Sequence, residues 1–252
     1  MLTIASIIFG AIVGSFLNVC IWRLPKGESI VSPGSHCPHC SHPIRFYDNI
    51  PLISYLLLGG RCRHCKGSIS AQYPLVEGVT ALSSLLLFLK HGFSFSYLYY
   101  FAFLTGLITV TVIDLYHQII PDVISIPGIV IGLLGALIIP HITFLRSLLG
   151  VLLGGGSLFL VATAYQWLFK REGMGGGDVK LLAMIGAFLG WDAVILTILL
   201  SSLIGSITGI LVIILKGKDF KYAIPFGPFL SLGAAISLYS GEDIVRWYLG
   251  VR

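Results

Sequence analysis

"LTIASIIFGAIVGSFLNVCIW", residues 2–22, runs for twenty-one positions without a charged side chain. A helix that crosses the hydrocarbon of a bilayer needs about 20 such residues. No basic residue precedes the stretch and it is long enough to span, so it reads as a retained transmembrane segment and not as a cleaved signal. The rest of the chain agrees. Hydrophobic residues make up 56% and charged residues 11% of the 252 positions, with a mean hydropathy of +0.93. A soluble domain carries about 25% charged residues. Lipid is therefore the main solvent expected for this chain.

Seven further apolar segments follow, giving spans near 2–23, 74–90, 96–115, 122–140, 144–169, 178–191, 192–216 and 225–249. The sixth is short, and Gly190-Trp191-Asp192 separates it from the seventh as a turn signal. The expected fold class is an all-α polytopic membrane protein of about eight transmembrane helices. A small cytoplasmic zinc-binding domain lies between the first and second. The domain boundaries are 1–23 for the first helix, 24–73 for the small domain and 74–252 for a seven-helix membrane domain. With the N-terminus outside, the inner connections hold 12 Lys and Arg residues and the outer ones 4. That bias is the positive-inside signature, and it accounts for the formal charge of +5 without nucleic-acid binding. Glycines scattered through the spans suit close helix packing in lipid. No internal repeat is expected.

Residues 24–73 carry "CPHC" at 37–40 and "CRHC" at 62–65. Each pair offers two thiolates from one tight turn, and Cys37, Cys40, Cys62 and Cys65 together complete a tetrahedral Zn²⁺ site. A segment of this size has too little core to hold itself together, so a metal staple is physically reasonable. Two disulfides are the alternative, and they fit a cytoplasmic placement poorly. His39 and His64 lie inside the pairs as substitute ligands. Cys20, alone in the first span, reads as a packing residue.

Eleven acids remain to be explained. Glu28, Asp48, Glu172, Asp219, Glu242 and Asp243 fall in connections and are expected to be solvated, and Asp192 marks an outer turn. Glu77, near the inner end of the second span, is placed to pair with an Arg or Lys of the small domain. Asp122 follows Pro121 at the start of the fourth span, where an N-cap belongs. Asp178 opens the sixth span in "GMGGGDVK" (173–180) and can also be a cap. Asp114, in "TVIDLYHQIIPD" (111–122), has no such role, because it ends an apolar run where the helix dipole disfavours an anion. The third span runs inward and the sixth outward, so Asp114 and Asp178 reach the same membrane face at similar depth. Ionisable groups in a membrane are functional candidates by default. Two carboxyls at close range do not readily ionise together. One keeps a proton and the other acts as a base. That pair can activate water against an amide carbonyl. HExxH, Walker A and dinucleotide motifs are absent from the sequence.

"GSFLNVCIWRLP" at 14–25, the two CxxC pairs, "YPLVE" at 73–77, Asp114 with Pro121-Asp122, and "GMGGGDVKL" at 173–181 together resemble the bacterial prepilin peptidases. These are the type 4 leader peptidases, of the GxGD class of intramembrane aspartyl proteases. The resemblance covers nearly the whole chain. It implies Asp114 and Asp178 as the catalytic pair and Gly175, Gly176 and Gly177 as the loop of the signature. Lys180 and Asp122 are its neighbours, and His117 is near enough in sequence to act on the pair. It implies removal of the basic leader from type IV prepilins or pseudopilins, after a glycine, at the cytoplasmic face of the inner membrane. It also implies methylation of the new N-terminus by S-adenosylmethionine, with Gly14, Asn18, Arg23, Pro25 and Glu77 as candidate residues. The glycines before Asp178 give room for an extended substrate segment. Two other readings compete: an ion-coupled transporter, and an inactive scaffold of a pilus or secretion machine. A transporter of the common kind has related halves and acids near mid-membrane, which this sequence does not offer.

Overall fold

The computed structural model describes residues 1–140, 142–170, 175–216 and 224–250. Arg171, Glu172, Gly173, Met174, Lys218, Asp219, Lys221 and Arg252, which the sequence reading used, lie outside them. Helices are the regular elements of the described residues; no strand occurs among them, only the isolated bridges His36–Pro43 and Arg61–Ser68. Among the described residues nine α-helices occur in the order α1 (Leu2–Arg23), α2 (Ile53–Leu57), α3 (Gln72–His91), α4 (Phe95–His117), α5 (Asp122–Gly135), α6 (Phe144–Phe169), α7 (Gly176–Leu189), α8 (Trp191–Lys216) and α9 (Gly227–Leu249). Apart from the short α2, each corresponds to an expected span. Gly190, at φ +88°, ends α7 and lets α8 start at once, so the turn between them is real.

Among the described residues five helices are long and apolar enough to cross a membrane: α1, α3, α4, α6 and α8. The other three differ for physical reasons. Helices α5 and α7 have 14 residues each, about 21 Å at 1.5 Å per residue, which falls short of a hydrocarbon core about 30 Å thick. Helix α9 is long, but Glu242, Asp243 and Arg246 fall in its second half. Along α8 the side chains of Leu199, Leu203, Ile207, Ile210 and Ile214 are all exposed, as a lipid-facing helix requires.

The chain divides into two compact units, Met1–Thr109 and Val110–Arg252. In the first, α1 packs on α3. Its buried positions Gly10, Ala11, Gly14, Leu17 and Ile21 recur at helical spacing. A Cβ on Gly14 would stand 2.7 Å from the Glu77 Cα, so the backbones meet there without room for a side chain. Ser84 Oγ donates to the Ser6 carbonyl at 2.6 Å, satisfying a buried hydroxyl inside the apolar pair.

Between α1 and α3 the absence of a repeat is corrected. Residues 37–44 and 62–69 share Cys, His, Cys and Ile at equal spacing, and their backbones match. Cys37 N–H donates to the His42 carbonyl at 3.0 Å, and Cys62 N–H to the Gly67 carbonyl at 2.8 Å. Ser41 (φ +55°) and Lys66 (φ +60°) make the same left-handed turn. The repeat escapes a sequence comparison because it consists mainly of backbone bonds, which constrain few side chains.

In the second unit α7 is the core. Every residue from Leu181 to Phe188 is buried. Gly150 of α6 packs directly on Gly186, and Gly132 of α5 packs on Ala187. Not every span glycine serves this purpose, since a Cβ on Gly156 would meet nothing within 4 Å.

Candidate active site

The buried α7 fixes where its first turn stands, and with it Asp178. The helix begins at Gly176 after an extended Gly175. Asp178 is the third helical residue and makes no side-chain cap bond, so the expectation of an N-cap is corrected. Its Oδ1 is buried with no hydrogen-bond partner among the described residues. A buried carboxyl oxygen without a donor is costly unless it serves another purpose.

Asp114 lies in the last turn of α4 and is 5% exposed. Its Oδ2 accepts the backbone N–H of Gly227 at 3.0 Å. The charge of Asp114 acts on Asp178. Ile120 links the surrounding backbone: a Cβ on Gly177 would stand 2.8 Å from its Cβ, and one on Gly227 3.3 Å from its Cδ1. The first turns of α7 and α9 thus gather round the end of α4 with no side chain on either glycine. Gly227 was not singled out in the sequence, although "PFGP" at 225–228 carries the punctuation of a helix start.

Asp122 is corrected as well. Pro121 is the N-cap of α5, without a side-chain bond. Asp122 follows it, and both its oxygens accept from Lys180 Nζ at 2.7 Å. His117 is exposed at the end of α4.

The first unit holds two further groupings. The sulfurs of Cys37, Cys40, Cys62 and Cys65 lie within 4.8 Å of one another. Backbone N–H groups of Cys65 and His64 bring the Cys62 thiol down to about 7. Four soft ligands at this spacing fit Zn²⁺. His39 and His64 are not in the cluster, and His64 stacks on His42 with ring centres 4.3 Å apart. Cys20 is buried and apart. Asp48, expected to be solvated, forms an ion pair with Arg63 at 2.7 Å and is 11% exposed. That bond holds its carboxyl below the usual range.

A cavity of about 1050 Å³ is lined by Ser15, Asn18, Trp22, Arg23, Glu77 and residues of the cysteine region. Glu77 does not pair with Arg or Lys. Its Oε2 accepts the N–H of Leu52 at 2.7 Å, and no cation stands within ion-pair distance of it among the described residues. Asn18 Nδ2 donates to the carbonyls of Gly14 and Tyr73 at 3.3 and 3.1 Å. Two carbonyl partners fix the amide orientation, which leaves the buried Oδ1 without a partner. Arg23 is occupied by the carbonyls of Ser29 and Pro33, at 2.9 and 2.6 Å. Pro25 sits in the 3₁₀ turn that ends α1.

The chain was compared with known proteins. Residues 8–91 match the model of the bacterial peptidase A24 N-terminal domain, and residues 101–210 that of the type IV leader peptidase family. A protein of Pseudomonas aeruginosa named prepilin leader peptidase/N-methyltransferase is 40% identical, over 98% of this chain and 93% of its own length. Proteins of the same name from Aeromonas hydrophila and Legionella pneumophila are 39% and 34% identical. Each match covers 96% of this chain, with 92% and 93% of theirs. No solved structure matches.

Proposed function

This chain belongs to the type IV leader peptidase family, and we propose that Asp114 and Asp178 are the carboxyl pair with which it cuts its substrate. The protein is a multi-pass membrane enzyme of the prepilin leader peptidase/N-methyltransferase type, a peptidase that also methylates. Its substrates are type IV prepilins. The finer reading adds pseudopilins, a cut after a glycine, and a cytoplasmic active site, the last supported by the 12-to-4 division of basic residues.

The observation that carries the dyad is geometric: Asp178 keeps a buried oxygen without a partner among the described residues, and the buried Asp114 is held by a backbone N–H. One carboxylate takes a proton from water, and the oxygen of that water attacks the amide carbonyl. The other carboxyl gives its proton to the carbonyl oxygen. Collapse of the tetrahedral species returns a proton to the departing amine. The cysteine cluster would hold Zn²⁺ as a structural staple that fixes the two knuckles. The methyl group would come from S-adenosylmethionine, a sulfonium donor. Glu77 and Asn18, a buried acid without a cation and a buried acceptor without a donor, suit its positive charge or the amine to be methylated. Arg23 shapes the cavity wall and Gly14 lets α1 reach Glu77. A transporter is not favoured by the family.

The test uses purified protein reconstituted in lipid, a prepilin and S-adenosylmethionine, with the products weighed by mass spectrometry. Asp114→Asn and Asp178→Asn should each slow leader removal at least about 1000-fold, while methylation of an already cleaved substrate continues. Normal cleavage by both variants overturns the dyad.

A further inference from the structure

We infer that Gly227, at the first turn of α9, is a positioning residue of the peptidase site: its N–H holds the Asp114 carboxylate, and its lack of a side chain is what permits the contact. The inference rests on the dyad reading above and adds a third chain element to it. Nothing in the signature around Asp178 points to α9.

Three observations converge. First, the donor is the free one of its turn. The N–H groups of Phe229 and Leu230 already donate to the Phe226 carbonyl, and Pro228 has none. Gly227 alone is left to donate, and it does so to Asp114 Oδ2 at 3.0 Å. The positive end of a helix meets the carboxylate there. Second, a Cβ on Gly227 would stand 2.6 Å from that same Oδ2 and 3.2 Å from Cγ, closer than carbon and oxygen approach. Any other residue must push the carboxylate away. Third, the bond makes the two acids unequal. An N–H can only donate, so Oδ2 of Asp114 is its acceptor, and the bond favours that oxygen unprotonated. Asp178 Oδ1 has no such donor. The proton that the pair shares is thereby disfavoured on the face of Asp114 that α9 holds.

The pair must keep its geometry to act on one water and one amide, and a shift of about 1 Å in a reacting group costs about 100-fold. Gly227→Ala is therefore expected to lower kcat for leader removal about 100-fold, with KM for the prepilin within about threefold. Gly241→Ala, in the same helix, places its Cβ at ordinary contact distances of 3.6 and 3.8 Å and should match the wild type.

Ile120 separates positioning from packing, because its Cδ1 also lies 3.3 Å from the added Cβ. Ile120→Val removes that atom and relieves packing without freeing Asp114. The double variant Gly227→Ala/Ile120→Val should stay as slow as Gly227→Ala. Methyl transfer to an already cleaved substrate should be unchanged in both. Recovery in the double variant, cleavage by Gly227→Ala within threefold of the wild type, or a parallel loss of methyl transfer and leader removal overturns the inference. Asp114→Asn measured alongside keeps the two readings apart. If it cleaves normally, the dyad itself has failed. If it is inactive while Gly227→Ala is normal, only the role of Gly227 has.

Discussion

Lys180 and Asp122 tie the second turn of α7 to the first turn of α5, with Nζ 2.7 Å from both carboxylate oxygens. Lys180 stands two residues beyond Asp178, so the bond sits beside the candidate pair. Both partners are half-exposed, at 40% and 56%, and an exposed ion pair is worth about 0–1 kcal/mol. A double-mutant cycle with Lys180→Met and Asp122→Asn should give a coupling under about 1 kcal/mol that fades in high salt. Leader removal by either variant should stay within about threefold of the wild type. A larger loss of cleavage with unchanged stability would place Lys180 in the chemistry.

The four cysteines predict one zinc per chain. Cys37→Ser should lose the metal and loosen residues 24–71, read as faster proteolysis there. In protein stripped of metal, Cys62 should be alkylated first near neutral pH. Its thiol lies at about 7, lowered by the N–H groups of Cys65 and His64. The N–H of His42 also lowers the Cys40 thiol, but burial and the neighbouring sulfurs outweigh it and push that thiol up to about 11. The thiolate is the reactive form, so Cys62 labelling should fall away below pH 7 while Cys40 stays slow throughout. Equal rates would contradict this order. Because zinc needs thiolates, acid should also release it.

Glu77→Gln should separate the two activities. It keeps the shape of the side chain and removes the only charge on it. Methyl transfer should fall about 100-fold and leader removal should persist, since every residue of the dyad site lies beyond Thr109. Asn18→Leu should behave likewise. Loss of cleavage together with methylation in both variants would refute the division of labour.

Packing on α7 yields a stability test. A side chain on Gly150 would run into the carbonyl of Gly186, so Gly150→Val should cost at the upper end of about 1–3 kcal/mol, seen as a lower Tm. Gly156→Ala enters open space and should raise helix stability by about 0.5–1 kcal/mol. Similar effects at the two positions would deny α7 its place in the core.

The all-helical class and the helix positions were legible in the sequence. The α1 and α6 boundaries at 2–23 and 144–169 match the structure, because a membrane helix is written locally, in a run of apolar residues bounded by turn signals. The cysteine pairs were legible for a similar reason: each lies within one turn, and only the distance between pairs is long. The acids were partly legible. Parity along the chain put Asp114 and Asp178 at one face, but the caps assigned to Asp122 and Asp178 were misplaced. Capping depends on a shift of one or two residues that no pattern of hydropathy fixes.

What the sequence determined by itself was therefore local: which segments are helical, which residues can ligate a metal, and which acids have no local use. Tertiary structure alone decided the partners of those residues. Asp114 meets the N–H of Gly227 from 113 positions away, Glu77 takes the N–H of Leu52 and no cation, and Lys180 finds Asp122 across 58 positions. A backbone N–H belongs to every residue except proline and leaves no mark in a sequence. Which one is left free at a helix start, and which carboxylate it faces, is settled only when the helices have packed.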